Sequence, residues 1–332
     1  MKIAYIIESS HGISPFNGIR LQAKTWAEEL RCQQHDVTLV SPWDIIDWQN
    51  YDAIHIFGQT EHTFRLANSL TQYSNRLFFS PIIDTIQPVF KYRIAALMKC
   101  EKLRMYSMNS IVAKCKGLFK TWFVRSQFEF QYVQHAYGIS PENICIIPLS
   151  FRTPRMPYNV SREPFCLHVS KITDARKNVN RLIDAAIKYK FDLVLAGSCA
   201  PDLIKPLQKR IDSAKNISYL GRISDSQLID LYSKAKVFAL PSINEGVGMV
   251  AVEAAACGCD IVITNIGGPK EYYGGFAFEV NPYSVDEIGL AVCKAMECNE
   301  RQPKLKNWVE DHYCLENCVR LLARRYEIEC NK

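Results

Sequence analysis

Short apolar runs recur along the chain, each followed by a polar turn or by a stretch of helical periodicity. In the first half they are "KIAYIIE" (2–8), "DVTLVSP" (36–42), "AIHIFG" (53–58), "RLFFSP" (76–81), "TWFVRS" (121–126) and "ICIIPLS" (144–150). Between the first two, "GIRLQAKTWAEELRCQQH" (18–35) sets Leu21, Trp26 and Leu30 on one side and charges on the other, which predicts an amphipathic helix. Near-continuous apolar strands alternating with helices predict a parallel sheet covered on both faces. The pattern lapses in "RTPRMPYNVSREP" (152–164), which holds three prolines and no periodicity and reads as a linker. It resumes with strands "FCLHVS", "DLVLAGS", "ISYLG", "VFALPS" and "DIVITN", separated by helices such as "NVNRLIDAAIKYK", "LIKPLQKRIDSA" and "SDSQLIDLYSKA". The tail "LKNWVEDHYCLENCVRLLARRYEIE" (305–329) reads as helix. The expectation is two doubly wound α/β domains in series, over 1–153 and 163–308, with a helical segment over 309–332.

Composition narrows the class. A chain of 332 residues suits two cores of ordinary size, and 48% hydrophobic with 22% charged residues is a globular balance. The net charge of +6 permits an anionic ligand without indicating nucleic acid. The 13 cysteines are scattered, with no C-x-x-C pair; they read as reduced core thiols in a cytoplasmic protein, "CGC" at Cys257 and Cys259 included. The N-terminal apolar run stops at Glu8, too short for a signal peptide, and no stretch reaches the ~18 apolar residues of a membrane span. Residues 91–125 carry nine Lys/Arg against Glu101 alone. Two readings stand: a solvated face over core helices, or a basic amphipathic surface that meets the inner face of an anionic membrane as a peripheral contact.

Candidate chemistry lies in loops at the carboxyl ends of the second-domain strands, where ligands of such sheets bind. "KITDARKN" after the first strand offers Lys171, Arg176 and Lys177. "INEGVGMV" after "VFALPS" offers Gly246 and Gly248, beside the start of a helix whose free N–H groups favour anions. Together these make a diphosphate site. Glu245 and Glu253 flank it. A carboxylate aimed at phosphate would repel it, but to either side it can accept hydrogen bonds from hydroxyls. A diphosphate with hydroxyl-rich groups at both ends is a nucleotide sugar.

"NEGVGMVAVEAAACGCDIVITNIGGPKE" (244–271) resembles the E-x7-E signature of retaining glycosyltransferases with the GT-B fold, most closely glycosyltransferase family 4. Glu245, Gly246, Gly248, Glu253, Ala254, Gly258, Gly267, Gly268 and Glu271 match that pattern. "HVSKITDARKNVNRLIDA" resembles the family's phosphate-lysine segment, with Lys171 where arginine is usual, and "SQFEFQYVQHAYGISPENICIIPLSF" resembles the segment that closes its first domain. The resemblance implies two Rossmann-like domains facing a cleft, with the C-terminal helix crossing back to the first. It implies that Glu245, Lys177 and Lys171 serve the reaction. The donor would be held by Gly246, Val247, Gly248, Met249, Val250, Glu253, Arg222, Ile223, Gly197 and Ser198, with Glu253 on the ribose and Arg222 and Ile223 at the base. Asn17, Gly18 and Arg20 match the glycine loop that faces the diphosphate and acceptor. The histidine that many members carry after the fourth strand is missing from "FFSPIIDTIQ"; Ser80, Asp84, His11 and His55 are the candidates for its space, with His55 also readable as a core histidine.

The implied reaction is retaining transfer from a UDP- or GDP-sugar to a saccharide or lipid-linked acceptor in surface polysaccharide biosynthesis. No cofactor or metal is implied: the sequence holds no D-x-D, and cations with helix-end amides would stabilise the leaving diphosphate. Three rival readings fit less of the sequence. "GVGMVA" satisfies the dinucleotide fingerprint of a nicotinamide-dependent oxidoreductase, but it falls late in its domain. A non-catalytic nucleotide-sugar-binding scaffold would tolerate loss of Glu245, Glu253 or Lys177, and all three are present. A glycogen-phosphorylase-like enzyme would need a far longer chain.

Overall fold

The computed structural model describes residues 1–7, 17–100, 105–154, 156 and 161–331. Its first strands are β1 (Lys2–Ile7), β2 (Asp36–Leu39), β3 (Ala53–Phe57), β4 (Leu77–Ser80), a small antiparallel pair β5 (Lys99–Cys100) and β6 (Met105–Tyr106), then β7 (Thr121–Val124) and β8 (Ile144–Ile146). Among them run α1 (Gly18–Cys32), α2 (Thr63–Leu70), α3 (Val89–Leu97), α4 (Met108–Lys114) and α5 (Gln127–Tyr137). Six strands pair in parallel in the order β2-β1-β3-β4-β7-β8. Alternate residues of each strand enter opposite cores, as the two-residue strand period requires. Tyr5, Phe57, Phe78 and Phe123 face one side; Ile54, Ile56, Phe79 and Trp122 face the other.

After the break come β9 (Glu163–Val169), β10 (Asp192–Ala196), β11 (Ile217–Tyr219), β12 (Ala235–Leu240), β13 (Asp260–Thr264) and β14 (Phe278–Val280). The accompanying helices are α6 (Val179–Tyr189), α7 (Pro201–Asp212), α8 (Asp225–Lys234), α9 (Met249–Ala256), α10 (Val285–Glu297), α11 (Lys304–Tyr313) and α12 (Leu315–Cys330). This sheet is also parallel, in the order β11-β10-β9-β12-β13-β14. Helix α6 shows why such segments fold as they do: Val179, Leu182, Ile183, Ala185 and Ala186 bury one stripe against the sheet. Helix α8 starts with a capping box, in which Ser224 and Gln227 satisfy each other's backbone N–H groups.

The expected pair of parallel, doubly wound sheets is borne out. Two compact units result: Met1–Ile83 with Gln87–Leu149 and Leu315–Lys332, and Asp84–Ile86 with Ser150–Cys314. The tail is two helices rather than one. Cys314 takes extended backbone (ψ 142) between them, so α11 packs in the second unit and α12 in the first. Val319, Leu322, Ala323 and Tyr326 of α12 complete the core that contains Tyr5, Trp26 and Phe123. Strand β14 and the β5–β6 pair were not foreseen; runs of two or three residues are too short to show a period.

Candidate active site

In the second sheet the chain order reverses between β9 and β12, and the crevice at that point lies between their carboxyl ends. The loops that leave these strands hold the predicted chemistry, and specific bonds stitch them together. Asn178 is buried in the left-handed region (φ 60), which asparagine tolerates better than most residues. Its Nδ2 donates to Pro241 O at 2.9 Å and Pro282 O at 2.6 Å. Ile243 N–H donates to Arg176 O at 2.8 Å. Asn178 is a site-building residue that motif reading passed over; its one signal was its place directly after Lys177.

Within this frame Lys177 Nζ donates to Glu245 Oε2, with the two side chains 21% and 16% exposed. Arg176 forks onto Asp174 (Nη2 to Oδ2 2.6 Å, Nε to Oδ1 3.0 Å) and holds that carboxyl down to about 2. Lys171 is exposed and forms no ion pair with a described residue. Of the three loop cations, two therefore already carry a carboxylate partner. Helix α9 begins beside them at Gly248, whose φ of +76 is a left-handed value and which offers no capping side chain. A Cβ there would lie 2.8 Å from Leu240 Cδ2, so only glycine brings the helix start this close to β12. Gly246 and Val247 precede it in the loop; Met249 and Val250 are its first helical residues, where backbone N–H groups point outward.

Glu253 is 2% exposed, one turn inside α9, so it is not a surface glutamate. Arg152 meets it from the segment expected to be a linker: Nε and Nη2 reach Oε1 at 2.8 and 2.7 Å. Burial raises the Glu253 pKa and Arg152 opposes that rise. Nothing local in the sequence signals this pair, whose members lie 101 positions apart. Arg162, also from that segment, donates to the carbonyls of Tyr232 (2.8 Å) and Ser233 (2.7 Å) and packs against Gly258, where a Cβ would sit 2.2 Å from its Nη2. The proline-rich stretch is thus anchored to the second unit at both described arginines.

Gly197 has a structural reason of its own: a Cβ there would stand 1.7 Å from Ser170 O. Its N–H bonds Gly221 O at 2.7 Å, and Ser198 O accepts from Ile172 N at 2.9 Å. These bonds align the ends of β9, β10 and β11, so that exposed Arg222 and half-buried Ile223 follow directly on the same edge. His168 ties β9 to β12. Since Ala239 O can only accept, His168 Nδ1 donates to it (2.8 Å), and neutral Nε2 accepts from Ser170 Oγ (2.8 Å). Burial pushes its pKa down to about 4.

In the first unit, Asn17 caps α1: Oδ1 accepts from Ile19 N at 2.9 Å and Arg20 N at 3.3 Å. Gly18 and Arg20 are exposed on the first turn. Of the candidates for the missing histidine, His11 lies outside the described residues. His55 and Ser80 are buried and bonded to each other at 2.9 Å, and His55 Nδ1 also meets Tyr326 OH at 2.5 Å. They are core residues, as the plainer reading of His55 had it. Asp84 is exposed. The basic segment is shorter than 91–125 suggested. Thr121–Val124 is buried strand β7, and Arg125 is buried on Glu129 (Nε to Oε2 3.0 Å). Outside lie Lys114 and Lys116, exposed at and just after the end of α4, and α3, where Phe90, Ile94 and Leu97 are 53–71% exposed beside exposed Lys91 and Arg93, with exposed Met98 directly after it.

Comparison with known proteins agrees with this geometry. Residues 156–311 match the sequence profile described as glycosyl transferases group 1. Over 148 residues the chain is 27% identical to O-antigen chain mannosyltransferase B of Escherichia coli, covering 42% of this chain and 39% of that protein. The chain therefore aligns with well under half the length of that curated relative. Among solved structures, sucrose-phosphate synthase from Thermosynechococcus elongatus superposes with a TM-score of 0.75 at 17% identity, covering 99% of each chain. HepE of Anabaena in complex with UDP gives 0.73 at 16% identity, over 99% of this chain and 100% of that one. The expected GT-B fold is borne out: the chain has the fold of the GT-B glycosyltransferases, and residues 156–311 are similar to the glycosyl transferases group 1 family.

Proposed function

We propose that the protein is a retaining glycosyltransferase of family 4 that moves a sugar from a nucleoside diphosphate sugar to a saccharide or lipid-linked acceptor in surface polysaccharide assembly. The observation that carries this reading is the meeting of Lys177, Glu245 and the start of α9 at the switch point of the second sheet. Lys177 and Lys171 hold the diphosphate, and the amides of Gly246 to Val250 share its charge. Glu245 accepts from sugar hydroxyls and Glu253 from the ribose. Arg222 and Ile223 flank the base, with Gly197 and Ser198 shaping the strand ends beneath. Asn17, Gly18 and Arg20 serve the diphosphate and acceptor side. The bond from the anomeric carbon to the phosphate oxygen breaks as the acceptor oxygen bonds to the same face of that carbon. The acceptor proton passes to the departing phosphate oxygen. Charge builds on the diphosphate, where preorganised cations and amides stabilise it without a metal.

The UDP bound to HepE supports a uridine donor, and the name of the mannosyltransferase supports a surface-saccharide product. Guanosine remains the other donor base to test. The nicotinamide alternative loses ground because "GVGMVA" follows β12, the fourth strand of its sheet in chain order, whereas the dinucleotide fingerprint follows the first. The apolar and basic face of α3 supports peripheral contact with an anionic membrane, where lipid-linked acceptors reside. Thermal shifts with UDP, GDP, ADP, CMP and NAD test the donor site. A ligand at a hundred times its Kd adds about 2.7 kcal/mol of stability. Wild type is expected to shift with one nucleoside diphosphate, and Lys177→Ala to lose that shift. A shift with NAD alone would overturn the reading.

A further inference from the structure

Lys177, the cation assigned to phosphate, is bonded to Glu245, and Ser242 Oγ stands 3.4 Å from the same carboxylate oxygen. Their backbones have little freedom to separate. Asn178 pins the loop after β9 to Pro241 and Pro282, and Ile243 N–H is bonded to Arg176 O. Both side chains are mostly withdrawn from water, so their attraction is screened less than on an open surface. Arg176 also feels Glu245, and it is held in a fork by Asp174.

We infer that Glu245 and the donor's diphosphate compete for Lys177, and that this competition makes the site favour an intact sugar nucleotide over the bare nucleoside diphosphate. The inference rests on the donor reading above. When a diphosphate takes Lys177, Glu245 is left charged, largely buried and beside a second anion. The Ser242 hydroxyl at 3.4 Å is a poor replacement donor. A donor that still carries its sugar brings hydroxyls that hydrogen-bond Glu245 and relieve the cost. A bare nucleoside diphosphate brings none. Once the sugar has been transferred, Glu245 regains its claim on Lys177, and the product nucleotide is held less tightly. Glu245 is therefore a specificity residue that also drives product release.

Calorimetric titration of UDP, GDP, UDP-glucose and GDP-mannose into wild type, Glu245→Gln, Lys177→Ala and the double variant tests this. The neutral isostere Glu245→Gln should bind the preferred bare nucleoside diphosphate about tenfold tighter than wild type, or ~1.4 kcal/mol. It should also lose most of the wild type's preference for the sugar-bearing form. In Glu245→Gln/Lys177→Ala the tenfold gain should vanish. Wild type alone gives a second reading: the matching sugar nucleotide should bind tighter than its bare diphosphate. Equal or weaker binding of the bare diphosphate by folded Glu245→Gln, or no preference in wild type, would overturn the inference while leaving the donor site standing. No nucleotide bound by wild type would overturn the donor reading and the inference together.

Discussion

Glu253 shows how much one partner decides at the scale of a residue. A carboxylate 2% exposed stays compatible with the fold because Arg152 meets Oε1 with two N–H groups. Arg152 is 41% exposed and Glu253 is buried, so losing these charge-assisted hydrogen bonds costs about 2 kcal/mol, less than for a pair wholly withdrawn from water. Arg152→Ala should therefore lower the stability of the second unit by about that much in urea denaturation at neutral pH. The pH dependence has a definite sign. Burial raises the folded pKa of Glu253 above the unfolded value of about 4.3, so the folded state keeps the proton to higher pH than the unfolded chain. Stability from this group falls as pH rises through that window, and falls further without Arg152 to oppose the shift. The deficit of Arg152→Ala relative to wild type should thus shrink as pH drops toward 4. A deficit constant from pH 8 to 4.5 would show that Arg152 acts by packing alone.

At the scale of elements, the junction of β9 and β12 is the part on which the site depends, and His168 is its buried crosslink. Its pKa of about 4 lies below the unfolded value near 6.5. Between those values the unfolded chain takes a proton that the folded chain refuses. Stability is full above about 6.5 and is lost as pH falls toward 4, by about 1.4 kcal/mol per pH unit. His55 in the first unit is shifted in the same direction by burial, so both units should weaken on acidification. Urea midpoints measured from pH 7.5 to 4.5 should decline steadily below 6.5; a flat profile would mean that neither histidine stays neutral in the folded state.

At the scale of the whole molecule, charge and exposed apolar surface act together. A net charge of +6 draws the chain toward anionic surfaces, and α3 offers Phe90, Ile94 and Leu97 at helical spacing with Lys91 and Arg93 beside them. No helix of the described residues is long and apolar enough to cross a membrane. Contact through α3 would therefore be peripheral and sensitive to salt. The protein should pellet with vesicles containing phosphatidylglycerol and much less with phosphatidylcholine alone. Phe90→Ser with Leu97→Ser should remove most of that binding. Equal pelleting with both vesicles would sink the membrane reading.

The two sheets, most of their strands and the glycine-and-glutamate signature of the candidate site were legible from the chain alone. They rest on local regularities: continuous apolar strands, the amphipathic stripes of α1 and α6, and fixed spacings around Glu245 and Glu253. Three-residue β14 was not legible, nor the break at Cys314 that sends α12 to the first unit while α11 stays with the second. Among the basic residues of 91–125, only folding separates Lys91 and Arg93, which face water, from Arg125, buried on Glu129. The same holds for partners. Lys177 and Glu245 were each identifiable as site residues, but their bond to each other was not. Arg152 read as linker until it met Glu253, and Ser80 stood as a candidate for the missing histidine's space until the core claimed it together with His55, whose core reading was already open. Residue type and spacing report backbone preference and local chemistry. Which charge meets which counterion, and which polar group is withdrawn from water, depends on segments far apart in the chain, and the tertiary structure alone brings those together.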